Sequence, residues 1–396
     1  MEQQRSRKIN PWLLLIILTS AFAISFIARV IWSPFIEPAS IEFGIQPAQA
    51  GLFISLFYIG YMVTQLPGGM LADKFGVKYV LSGSVLVTAL FTLAIAFVTN
   101  YNIALACRFV AGLGSGAIVA CSSKAIANAF PPEKRGTALG IFFVATTAGL
   151  FLSNTIAPLA LQVGTWRTGF LWIGIAALVI AAAIFLLIEK EPKKETQGNI
   201  FDGLIAIVKS RNVLIMAITG FCYIWLVLAV ATWANNYMRF IGIDGQAASG
   251  VMRWYSIGGI IATLITGWLV DQFKLNRRFY TIATYVAIIA MTFVFSSQKS
   301  LMGLTIAAFI YGFVSYLPNA HLTTLVIEYA GDEYAGTAVG GTNFFWQFGA
   351  VVSPPLAGQI FAATGSYNSV WMVLAGALVV GMIALLMLKP VEKKTA

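Results

Sequence analysis

Long apolar runs alternate with short polar segments over the whole chain. Each run is about 18 to 26 residues long, enough to cross a ~30 Å hydrocarbon core as an α-helix. The predicted spans cover residues 11–36, 48–70, 79–98, 101–124, 136–160, 167–188, 212–236, 248–270, 279–297, 300–326, 336–362 and 368–388. The pattern therefore predicts an all-α membrane protein with twelve transmembrane helices, and an even number of spans places both chain ends on one side.

Composition supports a lipid-spanning protein. The chain is 59% hydrophobic and 10% charged, whereas an ordinary soluble domain is roughly a quarter charged. The first span follows a basic start that includes Arg5, Arg7 and Lys8, as in a signal peptide. The span is too long for a signal peptide and lacks a small-residue cleavage site, so we expect it to stay attached as the first helix.

The net charge of +10 is unevenly distributed along the chain. Eighteen of the 25 Lys and Arg residues fall in the alternate polar segments that share a side with the chain ends, while Arg167, Arg239 and Lys299 fall on the other side. By the positive-inside rule, both termini are expected in the cytoplasm and the protein in the cytoplasmic (inner) membrane. This distribution argues against nucleic acid as a partner.

Four cations lie inside the predicted spans: Arg29, Arg108, Lys124 and Arg253. None of the 15 carboxylates can be placed at mid-membrane. A guanidinium in hydrocarbon costs at least ~2.5–3.5 kcal/mol, so it persists only beside a wet cavity, a partner or a ligand. Since no carboxylate is available inside the spans, the pattern predicts an anionic ligand.

The chain also carries signs of duplication. The segment 189–211 is the longest polar stretch and lies near the midpoint, and sequence landmarks recur roughly 200 residues apart. The landmarks are Gly69-x-x-x-Asp73 with Gly267-x-x-x-Asp271, and Gly136-Thr-Ala-Leu-Gly140 with Gly336-Thr-Ala-Val-Gly340. We therefore predict two pseudo-symmetric six-helix bundles, 1–188 and 212–396, joined by a cytoplasmic linker at 189–211.

The segment between spans two and three resembles the signature loop of the major facilitator superfamily. It reads Gly69-Met-Leu-Ala-Asp73-Lys74-Phe-Gly76-Val-Lys78. Asp73 ends one helix, where it can cap the next segment or pair with cations, and Gly69 is expected to allow close helix approach. The resemblance implies that these residues, with Gly267 and Asp271 of the second half, latch the cytoplasmic gate.

Within that superfamily, the first 140 residues look most like the anion:cation symporter branch, which includes bacterial sugar-acid transporters and sialin relatives. The resemblance rests on Arg29, Glu42-Phe43-Gly44-Ile45, the run from Ser55 to Gly69 with Tyr61 and Gln65, Arg108, and Phe130-Pro131. It implies that Arg29 and Arg108 engage substrate carboxylates.

The chain departs from that branch at two positions. Proton-coupled members carry an acidic residue just before the span-one arginine and another seven residues after the span-four arginine, whereas this chain has Ala28 and Ser115. The usual proton carriers of that branch are therefore missing, which favours anion exchange, facilitated flow or another proton site.

Helical spacing groups polar residues around both arginines. Phe22, Ser25, Arg29 and Ser33 share one face of span one, and Arg108, Gly112, Ser115 and Val119 share one face of span four. Each arginine has an alternative role. Arg29 is an anion ligand or a structural cation bonded to carbonyls, and Arg108 contacts substrate or else orients neighbouring helices or assists proton transfer.

The other candidates each have two interpretations. Tyr61 and Gln65 on span two and Asn343 and Gln347 on span eleven either line a substrate cavity or bond helix to helix. Lys124 binds substrate or, as its place near the cytoplasmic end favours, extends to the interface. Arg253 contacts the anion near the outer mouth or is an interfacial residue.

His321, the single histidine, either carries a coupled proton or packs helices together. Cys107, Cys121 and Cys222 fall inside spans and are expected to be small apolar residues with no metal or redox role.

No phosphate loop, metal cluster or nucleophile–base pair stands out, so we expect no cofactor, no metal and no enzymatic activity. The preferred hypothesis is a monomeric secondary active transporter of a small organic anion, working by alternating access among membrane lipids, with exchange or a co- or counter-transported ion. The alternative is a multidrug/proton antiporter for lipophilic compounds. Such exporters commonly carry a Gly-Pro motif on span five, and the stretch from Thr147 to Pro158 lacks it.

Overall fold

The computed structural model describes residues 9–189, 210–330 and 335–389. Most of the predicted linker therefore lies outside the described residues. Within the described ranges the chain forms fifteen helices: α1 (Pro11–Val30), α2 (Trp32–Phe43), α3 (Pro47–Phe75), α4 (Val77–Ile95), α5 (Tyr101–Ser115), α6 (Ile118–Ala129), α7 (Pro132–Val163), α8 (Trp166–Leu187), α9 (Arg211–Phe240), α10 (Gly245–Gln272), α11 (Arg277–Ser297), α12 (Leu301–Tyr316), α13 (Asn319–Ala330), α14 (Ala335–Thr364) and α15 (Tyr367–Leu386).

These helices make up the twelve predicted spans, because three spans are interrupted: span one is α1 with α2, span four is α5 with α6, and span ten is α12 with α13. In the described part of the chain, ten spans are long and apolar enough to cross a membrane by length and composition. The other two, α10 and α14, are of similar length. Both pack against helices of the first half, α10 on α7 and α14 on α3.

Polar residues in the short turns set where the helices begin. Asn10 Oδ1 accepts a hydrogen bond from the Trp12 backbone N–H, and Asn100 and Asn276 cap α5 and α11 in the same way. Such caps satisfy backbone N–H groups that have no partner within the helix. Proline occupies the first position of α1, α3 and α7, where its missing N–H costs nothing.

Burial is arranged as expected for a bundle in lipid. The spans that begin each half, at Pro11–Phe43 and Arg211–Phe240, have the most buried apolar windows, 72% each. Peripheral helices expose large apolar side chains, including Val179, Leu186 and Trp268. Spans one and seven therefore lie at the centre of the molecule, while spans such as α8 and α11 present apolar faces outwards.

The break in span one has two identifiable causes. Pro34 has no N–H to donate to the carbonyl of Val30, so the hydrogen-bond ladder fails there. Arg108 of α5 donates to the carbonyl oxygens of Ala28 and Arg29, at 2.5 and 3.0 Å. The helix is interrupted at Ile31, one turn from Arg29.

The two halves repeat the same close helix contact. A Cβ at Gly112 would lie 2.1 Å from the Phe57 carbonyl oxygen, and one at Gly312 would lie 1.8 Å from that of Tyr255. Only glycine permits these approaches, which join the second and fourth spans of each half. The breaks in spans four and ten, at 116–117 and 317–318, also correspond. These features are what duplication predicts.

Candidate functional site

Arg29 lies at the centre of the bundle with a buried guanidinium that has no carboxylate partner among the described residues. Its side chain is 4% exposed. Nη2 donates to Ser25 Oγ at 3.3 Å and to Ser115 Oγ at 3.0 Å. Nε is buried and has no hydrogen-bond partner. A buried charge with unused donors is the arrangement expected of a site that receives an anion.

The two serines join span one to span four beside that charge. Ser25 Oγ and Ser115 Oγ lie 2.5 Å apart, and both are fully buried. Because Ser25 precedes Arg29 by one helical turn, the polar stripe predicted for span one does surround the guanidinium. Ser115 occupies the position where proton-coupled members of the resembled branch carry an acidic residue, and here it supplies only a hydroxyl.

Aromatic rings enclose the rest of the Arg29 guanidinium. Its Cζ lies 4.3 Å from the centre of the Tyr61 ring, which is cation–π distance. Four further rings lie between 5.7 and 5.9 Å from the same atom: Phe22, Phe26, Phe57 and Tyr58. The sequence pattern indicated Tyr61 and placed Phe22 on the face of Arg29, but it gave no reason to single out Phe26 and Phe57.

Arg108 is fully buried, and its guanidinium faces backbone. Besides the two carbonyl oxygens of span one, it donates from Nε to the Phe53 carbonyl oxygen at 3.2 Å. Its Cζ lies 4.7 and 4.8 Å from the Phe57 and Phe53 ring centres. The structure thus places Arg108 next to Arg29 but uses all three of its nitrogens to hold spans one, two and four together.

Three predicted polar residues meet where span two faces span eleven. Gln65 Nε2 donates to Asn343 Oδ1 at 2.5 Å, and Gln347 Nε2 donates to the same oxygen at 3.2 Å. Gln65 Oε1 is buried without a partner. The cluster joins the halves one helical turn from Tyr61, the ring that lies closest to the Arg29 guanidinium.

A tyrosine of the second half lies at the contact with span five. Tyr316 packs edge to face against Tyr255, with 6.3 Å between ring centres. Its ring would contact a Cβ at Gly259, beside Thr147 of span five. A ring of the second half therefore reaches span five of the first half.

Lys124 and Arg253 lie away from Arg29. Lys124 Nζ pairs with an oxygen of Asp73 at the end of α3, as expected for a cation near the interface. Arg253 lines a cleft of about 410 Å³ at the other end of the bundle, with Asp244, Gln246 and the half-exposed Trp254. The structure does not bring Arg253 together with Arg29.

His321 is buried within the second half. Its Nε2 lies 3.0 Å from Thr266 Oγ1 and 3.2 Å from the Thr266 carbonyl oxygen. Its ring packs edge-on against Tyr280, at 4.9 Å between centres. His321 therefore contacts spans eight and nine, and its predicted part in proton coupling stays a prediction.

In the loop after span two, Gly76 has φ +87°, a conformation that favours glycine, and it separates α3 from α4. Lys74 and Lys78 place Nζ over the rings of Phe75 and Phe185.

The prediction that Gly69 provides close helix approach is wrong. A Cβ there would lie 4.0 Å from Ala120, an ordinary contact, whereas a Cβ at Gly68 would lie 2.6 Å from Ala117.

The difference arises because the helix turns Gly68, and not its neighbour, towards α6. In the second half, a Cβ at Gly267 would meet nothing within 4 Å. The structure does not describe the side chains of Asp271 and of residues 336 and 337. The predicted gating role of Asp271 therefore stays a prediction.

We call the end of the bundle opposite the chain termini the far end. There the two halves make a contact that the sequence pattern did not predict. Glu37 of α2 pairs with Arg239 of α9. Below that pair, Ser33 Oγ donates to the Thr232 carbonyl oxygen at 2.7 Å, and Asn235 Nδ2 donates to Ser33 Oγ and to Asn154 Oδ1 at 3.3 and 3.0 Å. The sequence signal available was opposite charge at matching ends of spans one and seven.

Glycines close the far end further. A Cβ at Gly51 would lie 2.4 Å from the Pro354 carbonyl oxygen, and a Cβ at Gly358 would lie 2.4 Å from that of Pro47. Spans two and eleven are therefore in backbone contact there. A cleft of about 560 Å³ remains outside these contacts, beside Glu37 and Arg239.

Comparison with known proteins places these features in context. A family model described as the Major Facilitator Superfamily matches residues 17–354. The hexuronate transporter of Bacillus subtilis is 24% identical over 93% of this chain and 92% of its own length. A probable sulfoacetate transporter of Cupriavidus necator is 26% identical over 88% and 87%. The crystal structure of the nucleoside transporter NupG is similar in fold, with a TM-score of 0.80, 16% identity and coverage of 94% and 99%.

Proposed function

Because the chain belongs to the major facilitator superfamily of membrane transporters, we propose that it moves a small organic anion across the cytoplasmic membrane. Two relatives support the substrate class, since one is named for hexuronate and the other for sulfoacetate. Hexuronate carries a carboxylate, and sulfoacetate carries a sulfonate as well as a carboxylate; both groups present similar oxygens to a guanidinium. The proposal therefore covers both kinds of anion.

The observation that carries the proposal is the state of Arg29. Its guanidinium is buried, contacts only hydroxyls and ring faces, and retains a buried Nε without a partner. Ion pairs between described residues occur instead at the ends of the spans, as at Lys124–Asp73 and Arg167–Glu42. A substrate anion supplies the missing negative charge at the centre of the bundle.

Substrate binding follows from the donors around this charge. Nε and Nη of Arg29 donate to the anion, while the hydroxyls of Ser25 and Ser115 hold the guanidinium in place. Gln65 and Asn343 contact the anion from the seam between the halves. Arg108 acts as a positioning residue, because its bonds to the carbonyls of Ala28 and Arg29 fix the backbone from which Arg29 extends.

Transport proceeds by alternating access between a bundle at 1–188 and a bundle at 212–396. The charge distribution supports cytoplasmic termini; with that orientation the far end faces outwards and its contacts form the outer gate. Gly69, Asp73, Lys74, Gly76, Lys78 and their second-half counterparts Gly267 and Asp271 belong to the cytoplasmic gate. The protein acts as a monomer, since each chain contains a complete site.

Exchange of anions is the proposed mode. Ala28 and Ser115 offer no proton beside Arg29, so the charge of the empty site stays uncompensated on the return step. The protein returns more readily with an anion bound than without one.

The test is flux in proteoliposomes of purified protein, screened with carboxylates, sulfonates and inorganic anions, with and without a pH gradient. Arg29→Gln removes a charge-assisted bond worth roughly 1.5–3 kcal/mol, so substrate affinity is expected to fall at least about tenfold and flux to approach background. Arg167→Gln, which removes an arginine at the far end, is the matched control and should keep its flux.

Wild-type flux and affinity in the Arg29→Gln protein would remove Arg29 from the site. Export of lipophilic cations, with no flux of any anion, would reject anion transport and favour the multidrug antiporter.

A further inference from the structure

The number of free cations and the side chains around Arg29 restrict the kind of anion that can bind there. Of the four cations inside the predicted spans, three are engaged elsewhere. Arg108 donates from all three nitrogens to backbone carbonyls, Lys124 pairs with Asp73, and Arg253 lines the far-end cleft. Arg29 is therefore the one intramembrane cation placed to meet a ligand at the centre.

The donors of Arg29 suffice for one carboxylate. A guanidinium carries five N–H groups, and the bonds to Ser25 and Ser115 both come from Nη2. The unpartnered Nε lies on the same edge as Nη2, so a carboxylate that replaces one serine hydroxyl at Nη2 binds this edge through two parallel bonds. A second carboxylate on the same ligand would be buried without a cation, which is strongly unfavourable.

An aromatic ring lies close to this guanidinium. The Cζ of Arg29 lies over the Tyr61 ring, 4.3 Å from its centre. A carboxylate bound to Arg29 is therefore held near an aromatic ring.

The walls beyond the cation are aromatic. Phe22, Phe26, Phe57 and Tyr58 surround Arg29 on the first half. Tyr316 and Tyr255 pack edge to face on the second half, 6.3 Å between ring centres. A ligand body with many hydroxyls would lose water against these faces and gain few bonds, because the nearby polar side chains Gln65 and Asn343 already bond to each other. A flat ring instead gains edge-to-face or offset contacts.

We infer that the substrate is a monoanion whose carboxylate is attached to an aromatic ring. This inference rests on the proposed function, in which Arg29 binds the anion. Dicarboxylates are disfavoured by the single available cation, and polyhydroxy acids by the ring faces that line the site.

The experiment is competition and uptake with the full-length protein in proteoliposomes, with binding measured on the same protein in nanodiscs. The ligands form matched sets. Benzoate and phenylacetate are aromatic monoanions, cyclohexanecarboxylate replaces the flat ring with a saturated one, terephthalate adds a second carboxylate to benzoate, and gluconate is a polyhydroxy monoanion. The aromatic monoanions are expected to bind at least tenfold more tightly than terephthalate and gluconate, and more tightly than cyclohexanecarboxylate.

A pair of variants tests the ring contact. Tyr61→Leu should reduce the preference for benzoate over cyclohexanecarboxylate severalfold, while Tyr61→Phe keeps the ring and should keep the preference. Because the measured quantity is a ratio of affinities for two ligands, a general loss of folded protein cannot imitate the effect.

The outcomes separate this inference from the proposed function. Tight binding of gluconate or terephthalate, abolished by Arg29→Gln, would overturn the aromatic monoanion and leave anion transport intact. An unchanged ligand ratio in Tyr61→Leu would overturn the role of the ring. Failure of every organic anion to bind would overturn the proposed function, and this inference with it.

Discussion

Arg29 and Arg108 have the same side chain and lie side by side, yet their surroundings give them different chemistry. Arg108 is surrounded by backbone carbonyl oxygens, two at the break in span one and one in span two, and it donates to all three. Arg29 has hydroxyls and ring faces around it, which leave part of its hydrogen-bonding capacity free. Helical spacing in the sequence indicates both arginines. The hydrogen-bond acceptors around each arginine depend on which neighbouring helix packs against it.

The two roles predict different losses at the residue scale. Arg108→Gln should leave the carbonyls of Ala28 and Arg29 at the break in span one without donors, and each unsatisfied buried group costs about 1–3 kcal/mol. The thermal unfolding midpoint of the purified protein should fall clearly, with loss of transport. Arg29→Gln should lose substrate binding with a near-wild-type midpoint.

Thermal unfolding in detergent, followed with and without substrate, separates these effects. An Arg108→Gln protein that keeps the wild-type midpoint but loses substrate affinity would assign Arg108 to the substrate, as the family resemblance implies.

At the scale of elements, the far end shows how corresponding helices of the two halves meet. Ser33 and Asn235, and likewise Glu37 and Arg239, are 202 positions apart. Residues at equivalent places on spans one and seven therefore contact each other, as a two-fold relation between the halves requires. Each pair joins the halves and keeps the far end closed.

The far-end contacts predict a shift of conformation. Asn235→Ala removes buried bonds to Ser33 and Asn154, so it should favour the outward-open form more than Glu37→Gln does. Glu37 is half-exposed, and exposed ion pairs are worth about 0–1 kcal/mol, which is up to about a fivefold change in population. Spin labels at Ile41 and Gln246 would report the distance between halves.

Glu42→Gln is the matched control. Glu42 also lies on α2 but pairs with Arg167 of the same half, so its loss should leave the label distance unchanged. Equal distance distributions in Asn235→Ala and the wild type would show that this network does not hold the gate.

At the scale of the whole molecule, the charge of the empty site governs the transport cycle. Closing both gates around Arg29 buries its charge in a poorly solvated cavity, where an uncompensated charge is costly. A bound anion neutralises it, so the loaded protein should interchange between its two open forms faster than the empty one.

The prediction is trans-stimulation. Vesicles loaded with labelled anion should release it several times faster into buffer containing unlabelled anion than into empty buffer, at equal membrane potential. Equally fast release into empty buffer would reject obligatory exchange. Accumulation driven by a proton gradient alone would also reject it, and would point to His321 or an unrecognised carboxylate as proton carrier.

The sequence alone determined the lipid-spanning class, the twelve spans and the main charged centre of this protein. These depend on local composition: an apolar run of sufficient length crosses the membrane whatever its neighbours are, and an arginine inside such a run must find an anionic or polar partner. The landmarks of the two halves, and the polar faces around Arg29, follow from spacing on a single helix.

Only the tertiary structure decided which side chains of one helix contact which groups of another. It showed that Arg108 binds carbonyls, that Gly68 rather than Gly69 makes the close approach, and that the Glu37–Arg239 pair joins the halves. These facts depend on the rotation and depth of one helix against another, which a repeating pattern along one helix does not specify. Packing between distant segments sets them, and so decides which buried donors remain free for a ligand.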